Sequence, residues 1–303
     1  MKKQNLILAG ISVLALAVFG GYRIVDGLRT DTVPPALSFE TDTLTLSVRA
    51  SEDAYLSGVT AHDEHDGDVT AGIIVESIYG MNDAGETTVT YAAFDKAGNV
   101  TKATRTVLYE DYTAPRFSLS VPLVYEYGTI FDVLDDVRAT DVIDGDLSSS
   151  VKATMTTSGS TVTEEGVHEV LFRVTNSLGD TASLSLPVEV YPVDTYSADL
   201  SLDTYLLYLP IGADFDADEH PTTLRVRGTT IDLTEPSSNG VRIRTQGEVD
   251  TEVPGIYTVT YTASYSADGV SYTGYTKLFA VVEDDIAADN VIAPGTNSGT
   301  AAE

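Results

Sequence analysis

Gly85-Glu-Thr-Thr-Val-Thr-Tyr91-Ala-Ala-Phe-Asp95-Lys-Ala-Gly98-Asn99 is a phrase that the chain states three times. It returns as Gly166-Val-His-Glu-Val-Leu-Phe172-Arg-Val-Thr-Asn176-Ser-Leu-Gly179-Asp180 and as Gly255-Ile-Tyr-Thr-Val-Thr-Tyr261-Thr-Ala-Ser-Tyr265, each time with an aromatic residue six places after the glycine. Period-two alternation puts every second residue on one face of a sheet. The inward set reads Thr87, Val89, Tyr91, Ala93, then His168, Val170, Phe172, Val174, then Tyr257, Val259, Tyr261, Ala263. In the first two copies a polar turn leads into a second alternating run, Val100 to Tyr109 and Thr181 to Tyr191, which makes a β-hairpin.

Working outward, the spacing of the copies divides the chain. The sequence predicts an all-β protein of three tandem sandwiches after an N-terminal transmembrane helix. The expected bounds are 1–30 for the anchor and connector, 31–112, 113–192 and 193–283 for the three β domains, and 284–303 for a disordered tail too poor in apolar residues to fold. In the first unit Thr43 to Val48, Gly58 to Ala61 and Ile73 to Ile78 read as strands; in the second, Leu119 to Tyr125, Val137 to Ala139 and Val151 to Thr156 do. The third unit keeps its hairpin and the stretch Gly212-Ala-Asp-Phe215-Asp216, which matches Gly128-Thr-Ile-Phe131-Asp132, while its middle diverges. Asp31-Thr-Val-Pro-Pro35, Asp111-Tyr-Thr-Ala-Pro115 and Tyr191-Pro-Val-Asp194 open the three units, and proline at each opening stiffens the join.

Lys2 and Lys3 precede nineteen uncharged residues, Gln4 to Tyr22, long enough as a helix to cross a bilayer. Ala15-Leu16-Ala17 has the form of a cleavage site but lies inside the apolar run. An uncleaved single-pass anchor in the cell membrane with the bulk outside is favoured; cleavage would make the chain a secreted one. Without cysteine there is neither a disulfide, a thiolate metal site, a cysteine nucleophile nor a lipoprotein anchor. A net charge of -29, from 46 acidic against 17 basic residues, repels phosphate backbones and excludes nucleic acid as a partner.

Two units carry a second shared phrase, Ala61-His-Asp63-Glu-His-Asp66-Gly67-Asp68 and Ala139-Thr-Asp141-Val-Ile-Asp144-Gly145-Asp146. With the hairpin turns and the D-x-x-x-P openings, this resembles the bacterial immunoglobulin-like repeats of surface proteins, including the Ig-like domain named after a pesticidal crystal protein and the HYR and cadherin-like modules. The resemblance covers roughly 31–283 and is partial in the third unit. It implies a seven-stranded Greek-key sandwich used as a spacer or adhesive module, and it implies no ligand.

Two readings of the acidic phrase stand side by side. In one it is a calcium site, with Asp63, Asp66 and Asp68, and Asp141, Asp144 and Asp146, as ligands, and with Asp95 and Asn99, or Asn176 and Asp180, added from the hairpin turn. In the other, Asp-Gly marks a turn and the carboxylates accept backbone N–H bonds. Calcium is the one cofactor this sequence raises. His62 and His65 lie three apart without the helix that would preset them as ligands, and solvated loop residues are the simpler reading.

The chain has no nucleophile elbow, P-loop or dinucleotide fingerprint, which argues against an enzyme. Tyr272 and Tyr275, near the last turn, are the candidate surface for stacking against a polysaccharide. The expected function is therefore structural or adhesive. Its partners are the membrane through residues 4–22 and a surface protein or polysaccharide; the alternatives are a calcium-binding module or an accessory subunit of a larger surface assembly.

Overall fold

The computed structural model describes residues 18–19, 31–155, 164–234 and 240–284. The expected membrane span, save Val18 and Phe19, and the expected tail beyond Asp284 lie outside the described residues. Among the described residues no helix is long and apolar enough to cross a membrane.

The first unit contains seven strands in two sheets. One sheet holds β1 (Ala36–Phe39), β3 (Val59–Asp63) and β4 (Gly67–Asp68) in the order β1-β3-β4. The other holds β2 (Thr43–Leu46), β5 (Ile74–Tyr79), β6 (Glu86–Phe94) and β7 (Val100–Tyr109) in the order β2-β7-β6-β5. The repeated phrase is β6, and its alternation does what the sequence predicts: Thr87, Val89, Tyr91 and Ala93 are buried. Gly85, immediately before the strand, has φ +77°, and a Cβ there would lie 2.9 Å from the Tyr109 carbonyl oxygen and from Tyr112 Cβ, so glycine is required.

Seven described strands recur in the next stretch. The sheets are β8 (Arg116–Leu119), β10 (Val137–Asp141) and β11 (Gly145–Asp146), and β9 (Val124–Glu126), β12 (Lys152–Met155), β13 (Gly166–Thr175) and β14 (Thr181–Tyr191). The single strand expected from Leu119 to Tyr125 is in fact two, β8 and β9, in different sheets. Pro122 lies in the break, where its ring cannot continue a ladder.

The third stretch, whose middle looks divergent in sequence, keeps the full plan. Its sheets are β15 (Asp199–Leu202), β17 (Pro221–Val226) and β18 (Thr229–Asp232), and β16 (Leu206–Pro210), β19 (Arg242–Gln246), β20 (Gly255–Ala267) and β21 (Val270–Glu283). Strand order is the same in all three copies. The four-stranded sheets are mixed, because β2 pairs with β7, β9 with β14 and β16 with β21 in parallel, so the strictly antiparallel form of a Greek key does not hold at that edge.

The third copy is not a separate bead on the second. Leu206, Phe279 and Val281, from β16 and β21, belong to the same buried cluster as Phe117, Phe172 and Leu186 of the second copy. Polar contacts frame that shared core. Arg116 pairs with Glu283 at 2.6 Å and lies over the Tyr208 ring, and the Tyr208 hydroxyl accepts from the Phe117 amide at 3.2 Å. Between the same two copies Lys277 pairs with Glu189, and the Tyr275 hydroxyl donates to the same carboxylate at 3.1 Å. The chain accordingly resolves into two compact units, 1–113 and 114–303. A proline-stiffened seam was expected between the second and third sandwiches; what joins them is buried apolar surface, which resists bending more strongly than a fixed φ does.

Candidate functional site

The acidic phrase of the first sandwich folds as the β3–β4 hairpin, with Asp63 opposite Gly67 and His62 opposite Asp68. Gly67 closes the turn at φ +77°, as an Asp-Gly turn requires. Asp63 is 1% exposed, and its Oδ1 accepts the amides of His65 and Asp66, both at 2.8 Å. This is the Asx-type turn of the structural reading. Its Oδ2, equally buried, accepts no hydrogen bond among the described residues.

Two further acids converge on it. Asp31, from the D-x-x-x-P opening, uses Oδ1 to accept the Val33 amide at 3.0 Å, and its buried Oδ2 likewise has no donor among the described residues. Asp66 accepts the Lys96 amide at 2.7 Å and the Lys96 ammonium at 3.1 Å, and these bonds hold its carboxyl below the ordinary carboxylate value. Asp31, Asp63 and Asp66 each bring one carboxylate oxygen to within 4.8 Å of the other two. Three like charges that close are mutually repulsive unless a positive charge sits among them.

The other expected ligands take structural posts. Asp68 accepts the Thr70 amide at 2.9 Å and is not in the trio. Asp95 and Asn99 close the β6–β7 turn on each other: the Asn99 amide reaches Asp95 Oδ1 at 2.8 Å and its side chain reaches Oδ2 at 2.6 Å. The same side chain also donates to the Asp31 carbonyl at 3.2 Å, tying the opening of the domain to the hairpin turn. His62 and His65 lie outside the trio as well.

The matching hairpin of the second sandwich satisfies itself. Asp141 Oδ1 accepts the Ile143 and Asp144 amides, and Oδ2 accepts the Asn176 side-chain amide at 3.0 Å. Asp144 accepts the Ser177 amide at 2.6 Å, and Asp146 caps Ser148. The difference is a swap of two residues. Asp95 and Asn99 in the first turn stand where Asn176 and Asp180 stand in the second, so the first turn has no amide at the position that would neutralise Asp63 Oδ2. Asp31 was missed as a site residue in the sequence; the Asp/Asn swap between otherwise matching turns is the signal that could have found it.

Tyr272 and Tyr275 do not form an exposed stacking platform. Tyr272 is 5% exposed and belongs to the third core; Tyr275 stacks on Tyr196 with centroids 4.9 Å apart and binds Glu189 at the join of the second and third sandwiches. On a two-faced strand, both alternation phases can be covered when a neighbouring sandwich packs outside.

Residues 45–108 match the bacterial surface protein Ig-like domain. That match spans the first copy of the repeated phrase and of the acidic phrase from Ala61 to Asp68, and agrees with the resemblance to bacterial surface Ig-like repeats read from the acidic phrase, the hairpin turns and the D-x-x-x-P openings. No curated protein sequence matches the chain. Among solved structures, the chain is similar to the protocadherin GammaB4 extracellular domain (12% identity, TM-score 0.19, covering 82% of this chain and 49% of that one). It is also similar to Drosophila N-cadherin EC1-4 (12%, 0.22, 83% and 76%) and to the Clostridium perfringens ZmpB structure containing CBM51-2 with GlcNAc and INT domains (15%, 0.21, 82% and 44%). The chain thus spans about half the length of the protocadherin it matches.

Proposed function

We infer that this is a non-enzymatic extracellular surface protein, tethered to the membrane through residues 4–22, whose Ig-like sandwiches act as spacer and as a binding surface for a protein or glycan. The observation that carries it is the threefold use of one seven-strand plan, the first copy of which matches a surface-protein domain family. Small repeated sandwiches offer area and length more readily than a catalytic cleft. The strongly acidic composition suits a well-hydrated exported chain.

Because the third copy completes the core of the second, deleting 191–283 is a poor way to map binding: it would also strip Leu206, Phe279 and Val281 from the buried cluster that holds Phe172 and Leu186. The direct test is protease treatment of intact cells, with the chain followed by antibodies to the first and third sandwiches. Both sandwiches should be lost from intact cells, while the full-length chain in untreated cells stays with the membrane fraction after a high-salt wash. Protection of the sandwiches until lysis would overturn the surface placement, and release of the chain into the medium would overturn the tether.

A further inference from the structure

We propose that the first sandwich, and not the second, binds a calcium ion between Asp31, Asp63 and Asp66. Two independent observations meet there. The three carboxylates bring oxygens within 4.8 Å of one another, and the Oδ2 atoms of Asp63 and Asp31 are buried without a hydrogen-bond donor among the described residues. A buried carboxylate oxygen without a partner is costly, and it is rare unless something else meets it. Here two of the three acids divide their labour: Oδ1 of Asp63 and of Asp31 fixes the local backbone, and Oδ2 is the oxygen left to coordinate.

The donor set selects the ion. Oxygen ligands from carboxylates, with neither imidazole nor thiolate in the trio, suit a hard cation. Calcium completes its shell of six to eight oxygens with water in a flexible geometry, whereas magnesium demands a tighter octahedron. Lys96, the one cation bonded to the trio among the described residues, reaches only Asp66 and its side chain is 80% exposed, so it does not neutralise the buried pair.

The second sandwich supplies an internal contrast with the same A-x-D-x-x-D-G-D phrase. Asn176 there donates to Asp141 Oδ2, and Ser177 to Asp144. Asp111, the acid of the second D-x-x-x-P stretch as Asp31 is of the first, has both oxygens bound, by the Ser47 hydroxyl at 2.7 Å and the Val48 amide at 2.8 Å. No second trio forms among the described residues. A cation would therefore tie the opening of the first sandwich to its β3–β4 hairpin, and this role is independent of any adhesive one.

The test is thermal unfolding of the full chain in detergent, followed after chelator treatment with and without added calcium, against sodium chloride at matched ionic strength. Calcium at about 10 mM should raise the melting temperature of the first sandwich by about 5 °C or more, given the millimolar-range affinities of extracellular modules. Asp63→Asn keeps the turn-forming oxygen and should abolish the rise; Asp31→Asn, at the domain's edge, should do the same without disturbing the hairpin; Asp141→Asn should leave it intact. Equal effects of calcium and sodium, or a full calcium response in both Asp31→Asn and Asp63→Asn, would overturn the site.

Discussion

Tyr91 shows how one side chain serves both core and scaffold. Its ring is fully buried, and its hydroxyl donates to the Tyr55 carbonyl at 2.8 Å, anchoring the one-turn helix Glu52–Tyr55 against β6. Arg105, directly opposite Val89 and buried, reinforces the same point by donating to Tyr55 and Ser57 carbonyls and to the Tyr91 hydroxyl. In the third copy Tyr261 does the equivalent, donating to Ala217 at 2.9 Å. Tyr261→Phe removes one bond and should cost about 1 kcal/mol, while Tyr91→Phe removes two, the one to Tyr55 and the one from Arg105, and should cost about 2 kcal/mol, the ring staying in place in both. Denaturant titration of each variant checks this, and unchanged midpoints would show the hydroxyls to be idle. The aromatic at this place was legible from the six-residue step after glycine. Its hydroxyl's partner was not, because that contact joins residues 36 and 44 positions apart. Arg105 was also hidden: it takes the place that Leu186 and Leu278 hold in the other copies, and only tertiary contacts explain a cation there.

At the scale of elements, the strands were legible and the turns only partly so. Alternation located β6, β7, β13, β14 and β20, because one buried face imposes period two whatever the neighbouring sequence does. Short strands such as β1 and β9 carry too few residues to show a period. The matching Phe-Asp pairs at 131–132 and 215–216 were visible as repeats, and both prove to start a helical turn: Asp132 accepts the Leu134 amide and Asp216 the Asp218 amide. Turn carboxylates also set the acid response. Asp66 is held low by the Lys96 amide and ammonium, Asp68 by Thr70, and Asp111 by Ser47 and Val48; burial pushes Asp95 up, but the Asn99 side chain and turn amides bring it lower still. A carboxyl lower in the folded than in the unfolded chain contributes stability in full above the ordinary 3.8 and loses it as pH falls through the folded value. The first sandwich, which holds these four, should therefore keep a level melting temperature down to about pH 4.5 and lose it steeply below about pH 3.5. A melting temperature that is flat to about pH 2.5 would contradict this.

For the molecule as a whole, the decisive departure from a string of independent domains is the core that the second and third sandwiches share. The sequence could not disclose it, because the apolar residues of β16 and β21 read equally well as the third sandwich's own lining. In the structure Phe279 and Val281 join the second cluster, while Leu278, Ala280 and Val282 face the other way, so β21 is apolar on both faces for its last turnless stretch. A strand covered on both sides loses the polar-out half of its alternation. For the proposed spacer role the physical gain is a longer stiff element, since two sandwiches that share a buried cluster resist bending at their join. Native-state hydrogen exchange on the full chain, comparing the natural sequence with Phe279→Ala, tests this most directly. The substitution should lower the opening free energy of amides in β13, around Phe172, by about as much as in β21, roughly 3 kcal/mol in both. Loss of protection confined to the third sandwich, with β13 unchanged, would contradict the shared core.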